Sequence, residues 1–429
     1  MLTAPLRLGI AGLGTVGVGV LKMLHKNAEI LSIRTGRQIT VSAVSAKSKS
    51  KDRGVDLGNI AWEDNPVALA QREDVDVFVE LIGGSEGIAK DAAEAAIAAG
   101  KDIVTANKAM LAIHGQSLAL AAEKTDCVIR FEAAVAGGIP VVKALTEGLA
   151  GNKIKRVLGV MNGSCNYILT RMETAGLTYE QVFAEADGLG YLEKDPNLDV
   201  GGIDAGHKLA LLASIAFGTE IDFNNVVLEG IGSITIEDIH AAADMGFRVK
   251  LLGVAQMIGR GLEQRMTPCL VPASSPLAQL EGGTNMVILE GGDSGTIVLR
   301  GAGAGAGPTA SAVMSDIIDI ARGLRLKTFG QPANSLVRAQ PATATTPAPF
   351  YLRLQLLDKP GAMAKITSVM GDAGVSIDRM RQYGHAAGQA PVLIVTHKTT
   401  RAAIDQVLSD FTSTGVVEGI MVALRIEML

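Results

Sequence analysis

The sequence has few of the residues that mark several common classes of protein. Its three cysteines, Cys127, Cys165 and Cys269, lie far apart, with no CxxC pair and no histidine at metal-ligand spacing, so neither a disulfide framework nor a zinc site is indicated. Lys and Arg number 39 against 44 Asp and Glu, which argues against a nucleic-acid binder. No apolar run approaches the roughly 18 residues of a membrane span, and the N-terminus does not look like a signal peptide. We therefore expect a cytoplasmic protein with no membrane or nucleic-acid partner.

Glycine, in contrast, is abundant, at 50 of 429 residues, which is typical of α/β enzymes with many tight turns. At roughly 100–200 residues per domain, the chain has room for two to four domains. Apolar runs alternate with helical patterns in residues 1–133, which predicts a Rossmann-like, doubly wound parallel sheet. The predicted strands are Leu6–Ala11, Ile39–Val44, Val75–Ile82, Asp102–Thr105 and Val128–Glu132, and the predicted helices are Val18–Ile30 and Ala89–Ala99.

The next segment, residues 134–309, mixes the two kinds of pattern and predicts a second domain of α+β type. Helices are predicted at Tyr179–Asp187 and Asp204–Phe217, and strands at Arg156–Met161, Met286–Glu290 and Thr296–Arg300. A glycine-rich run at 301–309 leads straight into an apolar helix, Ala310–Arg322, so we predict a structured loop that faces a ligand rather than a flexible tether. The segment 310–330 is expected to pack back on the first domain.

The clearest boundary is residues 341–349, PATATTPAP, which predict a semi-extended linker. Residues 350–429 then alternate in the order βαββαβ, which is typical of a ferredoxin-like domain. The predicted elements are strand Tyr351–Leu357, helix Ala362–Ala373, strands Val375–Arg381 and Val392–Thr396, helix Arg401–Thr414 and strand Val417–Ile426.

A GxGxxG motif, GLGTVG at residues 12–17, lies between the first predicted strand and the first predicted helix. In a dinucleotide site Gly12 permits the tight turn, Gly14 lets the backbone approach a pyrophosphate, and Gly17 allows close helix packing. An ordinary glycine turn is the alternative. After the second strand, residues 45–51 read SAKSKSK, with hydroxyls and lysines suited to a 2′-phosphate, so NADP(H) is favoured and NAD(H) stays open.

The densest group of charged residues is the stretch 190–208, GYLEKDPNLDVGGIDAGHK. Asp204 and Lys208 are four residues apart and share one helix face, where they can pair. A solvated surface pair is the alternative, but three acidic residues in a broken loop precede it. Such acids can bind an ammonium group, and a lysine with the ordinary pKa of about 10.4 can donate a proton.

Two further segments are candidate ligand-binding sites. Lys108 follows a predicted parallel strand, at the carboxyl edge where ligands bind in such sheets, although a surface lysine is the alternative. The segment 131–140, FEAAVAGGIP, carries Glu132 and a glycine-bent backbone whose carbonyls can ligate a hard cation. From the residues alone, a structural turn is the better interpretation of that segment.

Taken in order, the motifs resemble the homoserine dehydrogenase family. They are GLGTVG at 12–17, TANK at 105–108, FEAAVAGGIP at 131–140, NG at 162–163, the 190–208 stretch and the late glycine loop. The C-terminal domain, with DKPG at 358–361, resembles an ACT domain, the amino-acid-sensing module of many biosynthetic enzymes. The chain is too short for a fused aspartokinase, so it resembles the monofunctional, regulated form.

The resemblance implies NAD(P)H-dependent, reversible reduction of L-aspartate 4-semialdehyde to L-homoserine, with residues 134–309 carrying substrate binding, catalysis and dimerisation. It makes Lys208 the proton donor, Lys108 the second active-site lysine and Asp204 the carboxylate beside the donor. The implied substrate-binding residues are Tyr191, Glu193, Asp199 and Ser164. The implied cofactor-binding residues are Gly12, Leu13, Gly14, Thr15, Val16, Gly17, Thr105, Lys108, Gly303 and Gly305.

The same resemblance implies a monovalent cation, usually sodium, held by Glu132 and the carbonyls of Val135, Gly137 and Ile139. The ACT domain implies feedback inhibition by threonine and a homodimer or homotetramer, with a purely structural oligomerisation module as the alternative. The implied effector residues are Asp358, Pro360, Gly361, Ala362 and Gln382.

Two positions depart from the family pattern. Ser164 stands where many members have threonine, and Ala46 stands where many have the arginine that binds the 2′-phosphate. A non-catalytic redox and amino-acid sensor and an NADP-dependent oxidoreductase for a related aldehyde are the other functions compatible with the sequence.

Overall fold

A parallel β-sheet forms the core of the N-terminal unit. The computed structural model describes residues 3–193, 195–342, 346–382 and 389–428. The six strands are β1 (Thr3–Ala11), β2 (Arg37–Ser45), β3 (Ala61–Glu63), β4 (Val77–Glu80), β5 (Asp102–Thr105) and β6 (Ile129–Arg130). They are parallel and lie in the order β3-β2-β1-β4-β5-β6, so the strand order reverses between β1 and β4, where α/β sheets bind ligands.

Helices cover both faces of this sheet, and its central strands are therefore apolar throughout. Leu8, Ile10, Val77 and Val79 are fully buried. The connecting helices are α1 (Thr15–Lys26), α2 (Ala28–Thr35), α3 (Pro66–Gln71), α4 (Ile88–Ala98) and α5 (Lys108–Lys124). The Rossmann-like parallel sheet predicted from the sequence is confirmed.

Several predicted elements have other bounds in the structure. The loop predicted over 301–309 comprises only residues 303–305, because a strand ends at Ala302 and the helix predicted from Ala310 begins at Ala306. The helix predicted over 18–30 is two helices, because the backbone at Asn27 leaves the helical conformation, with φ −111° and ψ 15°. The second helix, α2, ends at Gly36, whose φ of +72° is the left-handed conformation that favours glycine. The strand predicted over 128–132 comprises only two residues, because Glu132 begins a turn of 3₁₀ helix, Glu132–Ala134.

The second sheet has eleven strands and extends through two parts of the chain. Its strands from the central unit are β7 (Ile154–Val160), β8 (Val227–Leu228), β9 (Phe247–Ile258), β10 (Gly261–Pro272), β11 (Thr284–Gly291), β12 (Thr296–Ala302) and β13 (Gln340–Pro341). The sequence patterns did not predict the long hairpin of β9 and β10, which is antiparallel over its full length. Both strands are buried over most of their residues, so neither shows the alternation of a half-exposed strand.

Helices complete the central unit and connect it to the first. They are α6 (Val141–Lys143), α7 (Gly163–Ala175), α8 (Tyr179–Gly188), α9 (Asn197–Val200), α10 (Ile203–Phe217), α11 (Ile236–Asp244) and α12 (Ala306–Ala321). Helix α12 packs beside α1, and the approach is close: a Cβ on Gly19 would lie 2.8 Å from the carbonyl oxygen of Ala306. Because α12 contributes Val313 and Ile317 to the same apolar cluster as β1 and β4, it returns the chain to the N-terminal sheet.

The C-terminal unit has the predicted βαββαβ order. It consists of β14 (Phe350–Leu357), α13 (Ala362–Asp372), β15 (Ile377–Gln382), β16 (Gln389–Thr396), α14 (Arg401–Ser413) and β17 (Val417–Ile426). Its strands lie in the order β17-β14-β16-β15. The strand β17 also pairs with β10, through Cys269 with Arg425 and Leu270 with Ile426, so one sheet connects the central and C-terminal units.

The segment that joins the central and C-terminal units is held at both ends. Pro341 pairs with Leu262 of β10, and Ala348 forms a bridge with Thr399. Residues 343–345, within the predicted linker 341–349, lie outside the described part of the chain. Among the described residues, no helix is both long and apolar enough to cross a bilayer.

Candidate active site

A cavity of about 520 Å³ opens between the carboxyl edge of the N-terminal sheet and the central unit. It receives residues that follow β1 and β5 on one side, and residues from α7, α10 and the late glycine loop on the other. Twelve of the residues singled out in the sequence line it: Val16, Lys108, Val135, Gly137, Ser164, Tyr191, Glu193, Asp199, Asp204, Lys208, Gly303 and Gly305. Chain segments far apart in sequence therefore meet in one place.

The glycine turn after β1 has the shape that a dinucleotide phosphate requires. Gly12 has φ +102°, and a Cβ there would lie 2.3 Å from the carbonyl oxygen of Leu81. A Cβ on Gly17 would lie 2.0 Å from the carbonyl oxygen of Gly12, whereas one on Gly14 would meet no atom within 4 Å. Gly14 is the N-cap of α1, and no side-chain hydrogen bond caps that helix among the described residues. An uncapped helix N-terminus beside an open glycine suits a pyrophosphate.

A buried carboxylate organises the neighbouring strand ends. Glu80 accepts hydrogen bonds from the amides of Ile82 and Gly83, at 2.7 and 3.1 Å, and from the hydroxyl of Thr105. The Thr105 oxygen in turn accepts from the amide of Asn107, whose side chain caps α5. Thr105 is thus fully buried behind the cavity wall, and its effect is to fix the start of the helix that presents Lys108.

Two lysines share one carboxylate inside the cavity. The Asp204 side chain lies 2.8 Å from the Lys108 ammonium through Oδ1 and 2.7 Å from the Lys208 ammonium through Oδ2. Lys208 also donates to the carbonyl oxygen of Met161 at 3.0 Å. The side chains are 28%, 12% and 11% exposed for Lys108, Asp204 and Lys208. The trio therefore carries one excess positive charge where the cavity can receive a ligand.

The charges of this trio hold one another in the ionised state. Burial alone would raise the pKa of Asp204, but Lys208 and Lys108 outweigh it and keep that pKa well below its ordinary value. Burial alone would lower the pKa of Lys108, but the Asp204 carboxylate outweighs it and raises that pKa. At neutral pH Lys108 therefore remains an ammonium group beside a carboxylate.

The side chain of Asp199 holds the loop before α10 in place through both of its carboxylate oxygens. Its Oδ1 accepts from the Asn162 amide group at 3.0 Å and its Oδ2 accepts from the backbone amide of Glu193 at 3.0 Å. Ser164 donates from its hydroxyl to the carbonyl oxygen of Tyr191 at 2.7 Å. Both oxygens of Asp199 thus already have partners in the protein, and its contacts position Glu193 at the cavity wall.

The segment proposed for a cation is bent and buried. Both carboxylate oxygens of Glu132 accept backbone hydrogen bonds at 2.8 Å, from Val142 and Lys143, and burial raises the pKa of this group. The carbonyl oxygen of Ile139 accepts from the amide of Val141. Gly137 has φ +58°, and a Cβ there would lie 2.4 Å from the carbonyl oxygen of Gly303, so the segment packs tightly on the late glycine loop.

The residues singled out for an effector lie elsewhere. Asp358, Pro360 and Gly361 are exposed in the turn between β14 and α13, and Gly361 caps α13 in the left-handed conformation. Ala362 is buried at the start of that helix, and Gln382 is exposed at the end of β15. None of these five residues lines the 520 Å³ cavity.

Arg53 makes hydrogen bonds beside the glycine turn that the sequence patterns did not predict. Its guanidinium donates to three backbone carbonyl oxygens, those of Leu13 at 3.3 Å, Ser48 at 2.5 Å and Lys51 at 2.8 Å. It also lies 5.5 Å from the centre of the Trp62 ring. Arg53 therefore ties the basic loop after β2 to the glycine turn. Its position in a run of charged residues gave no signal of this role.

Comparisons with known proteins agree with this geometry. A family model described as the NAD-binding domain of homoserine dehydrogenase matches residues 12–132, one described as homoserine dehydrogenase matches 140–318, and an ACT domain model matches 350–414. The homoserine dehydrogenase of Neisseria gonorrhoeae is 42% identical, and that of Bacillus subtilis 37% identical, with at least 98% of each chain covered.

Solved structures show the same architecture. A homoserine dehydrogenase from Thiobacillus denitrificans matches with a TM-score of 0.94 at 37% identity over 100% of both chains. A hyperthermophilic archaeal homoserine dehydrogenase, solved in complex with NADPH, matches with a TM-score of 0.63 at 25% identity, covering 73% of this chain and 97% of its own. The family resemblance seen in the ordered motifs is confirmed, and the chain belongs to the homoserine dehydrogenase family of oxidoreductases, with a C-terminal ACT domain.

Proposed function

We propose that this enzyme reduces L-aspartate 4-semialdehyde to L-homoserine, reversibly, and prefers NADPH. The observation that carries the proposal is the pair of lysines that share Asp204 in the cavity beside the glycine turn. When bound, a nicotinamide cofactor supplies a hydride to the aldehyde carbon. The protein must then stabilise the negative charge that grows on the carbonyl oxygen and deliver one proton to it.

Lys208 is the proton donor in this proposal. Its ammonium is held from two sides, by Asp204 and by the carbonyl oxygen of Met161, so it has one orientation and its charge is available at the cavity. It delivers its proton to the substrate oxygen directly or through one water. Lys108, the more exposed of the two, stabilises the same developing charge and contacts cofactor and substrate.

The substrate's own charges are held by the loop before α10. Glu193 and Asp199 bind its ammonium group, with Tyr191 and Ser164 completing the contact surface. Because the oxygens of Asp199 already accept hydrogen bonds from Asn162 and the Glu193 amide, we assign the greater share of ammonium binding to Glu193.

NADPH preference rests on the loop after β2. Its serines and lysines, residues 45–51, are tied to the glycine turn by Arg53, and this basic surface suits a 2′-phosphate although the usual arginine is replaced by Ala46. A solved relative in complex with NADPH supports the choice. A lower KM for NADH than for NADPH would show that the enzyme has the opposite cofactor preference.

Three further proposals follow from the family pattern. Sodium is held by Glu132 with the carbonyls of Val135, Gly137 and Ile139. Threonine inhibits by binding between paired ACT domains, near residues 358–362 and Gln382, and this pairing makes the enzyme a homodimer or homotetramer. A threonine-independent oligomerisation module is the alternative role of the ACT domain.

The test is NADPH oxidation by the purified full-length chain with L-aspartate 4-semialdehyde, run with and without millimolar threonine. Turnover that produces L-homoserine, and that threonine suppresses, is the expected result. Turnover that threonine leaves unchanged, together with no heat of threonine binding, would remove the regulatory proposal alone. NADPH binding without turnover would overturn the proposed substrate.

A further inference from the structure

A second cavity, of about 290 Å³, lies where the central unit meets the C-terminal unit, and we name it the junction cavity. None of its lining residues also lines the 520 Å³ cavity or belongs to the turn 358–362. The central unit contributes β8 and β10, and the C-terminal unit contributes β14, α14 and β17. The lining residues are Val227, Arg265, Thr267, Pro268, Phe350, Arg401, Asp405 and Arg425.

Two buried arginines of this cavity have N–H groups that lack a strong hydrogen-bond acceptor among the described residues. Arg425 is 8% exposed; it donates from Nε to Glu427 and from Nη1 to the carbonyl oxygen of Thr346, and no described residue accepts from its Nη2. Arg265 is 5% exposed, and the contact of its Nη1 is the Cys269 thiol at 3.5 Å, a weak acceptor. Burial and the neighbouring Arg265 lower the pKa of Arg425, although both arginines contact Glu427 and Arg265 also contacts Glu263.

The cavity also presents a carboxylate and an apolar surface. Asp405 accepts from Arg401 through Oδ1 at 2.8 Å, and no described residue donates to its Oδ2. Val227, Pro268 and the ring of Phe350 form the apolar part of the wall. A single small cavity thus contains donors for a carboxylate, an acceptor for an ammonium group and a surface for a short side chain.

We infer that the junction cavity binds a small α-amino acid. Its carboxylate accepts from Arg265 and Arg425, its ammonium group donates to Asp405, and its side chain lies against Phe350. A simple anion fits less well, because Asp405 would repel it. The proposal does not depend on the reaction or on the effector residues proposed above.

The position of the cavity gives such a ligand a mechanical role. Arg265 belongs to the central unit, whereas Arg425 and Asp405 belong to the C-terminal unit, and β10 pairs with β17 through only two residue pairs. A ligand that contacts all three residues connects the two units, so it stabilises their present arrangement.

The test is a thermal-shift and calorimetric screen of the full-length chain with the proteinogenic L-amino acids and L-homoserine, each at millimolar concentration. A ligand that binds only the folded state raises the melting temperature. The critical variant is Val227→Trp, which adds bulk at an apolar lining residue paired with Arg265 through the backbone and leaves every charged side chain in place. Asp405→Asn removes the acceptor, and Asp410→Asn is its matched control, since Asp410 accepts from Gln406 on the same helix at the same spacing.

We expect at least one amino acid to raise the melting temperature of the wild type and of Asp410→Asn. Val227→Trp should lose the shift, and Asp405→Asn should bind roughly tenfold or more weakly. No shift with any amino acid, or a shift that persists in both Val227→Trp and Asp405→Asn, would overturn the inference. Equal binding of L-lactate and L-alanine would overturn the role of Asp405. NADPH turnover of each variant checks that it is folded.

Discussion

Two regions of the molecule contain a carboxylate shared by several cations, and the comparison between them separates catalysis from architecture. In the active site Asp204 holds Lys108 and Lys208. At the junction of the central and C-terminal units, Glu427 contacts Arg156, Arg265 and Arg425. The two carboxylates are similarly buried, with side chains 12% and 8% exposed, so burial alone does not distinguish the regions.

The two regions differ in the kind of cation that contacts the shared carboxylate. An arginine keeps its proton at any pH that a protein tolerates, whereas a lysine can give its proton up. Planar guanidinium groups suit a fixed network, and the junction network connects β7, β10 and β17. The active-site lysines are instead compact ammonium charges beside a cavity. The same electrostatic arrangement therefore suits the proton donation that we propose in one place and joins two units in the other.

The largest expected effect comes from exchanging the cation type in the active site. Lys208→Arg keeps the positive charge but removes the group that gives up a proton, so kcat should fall by roughly 10²–10⁴-fold while the Kd for NADPH stays unchanged. Steady-state kinetics and NADPH fluorescence titration measure the two quantities. Lys153→Arg, at an exposed position, is the control. A kcat within a few-fold of wild type would show that charge alone suffices.

The next effect should appear in stability rather than turnover. Glu427→Gln leaves the buried Arg265 and Arg425 and the half-buried Arg156 without their shared carboxylate, and breaking such a buried pair costs about 3–5 kcal/mol in free energy of unfolding. Urea denaturation measures the loss. The exposed Glu94→Gln should cost less than about 1 kcal/mol. If Glu427→Gln proves as stable as Glu94→Gln, the junction network does not hold the units together.

The stability of the protein at low pH should depend on the same two carboxylates. Their neighbouring cations hold the pKa of Asp204 and of Glu427 below the ordinary values, against the effect of burial. Stability from these groups is therefore fully present above their ordinary pKa values, about 3.9 and 4.3, and is lost as the pH falls through the lowered ones. The urea midpoint should change little through this linkage from pH 7 to 5 and drop below about pH 4. Glu427→Gln should show a shallower drop, and an identical drop would exclude Glu427 as a contributor.

Sequence patterns predicted the local parts of the site and missed those set by distant contacts. The glycine turn and the shared face of Asp204 and Lys208 follow from spacing within one segment. Lys108 could be placed only at the carboxyl edge of a strand, since nothing in its neighbourhood indicates that it reaches Asp204. Arg53 was missed because its partners are backbone carbonyl oxygens, which a sequence does not display.

The same limit applies to the fold. The βαβ and βαββαβ orders follow from local alternation. The pairing of β17 with β10, in contrast, joins residues 156 positions apart, Cys269 with Arg425 and Leu270 with Ile426, and the strength of such pairing depends on tertiary context. The separate domains predicted from composition therefore share one sheet.

The smallest expected effect concerns the substrate loop. Ser164→Ala removes the hydrogen bond to the Tyr191 carbonyl, worth about 1 kcal/mol, so KM for the aldehyde should rise a few-fold with kcat nearly unchanged. Ser164→Thr should stay close to wild type, because it keeps the hydroxyl. A large fall in kcat for Ser164→Ala would assign the serine a part in the chemical step.

In the proposed reaction Lys208, held by Asp204, supplies the proton that completes reduction. Rapid mixing of the enzyme–NADPH complex with L-aspartate 4-semialdehyde isolates that step, with NADPH consumed and L-homoserine formed as the two readouts. We expect the wild type to form one L-homoserine for each NADPH, and Lys208→Ala to bind NADPH normally but to react slower by orders of magnitude. A Lys208→Ala variant that forms L-homoserine near the wild-type rate would show that Lys208 is not the proton donor.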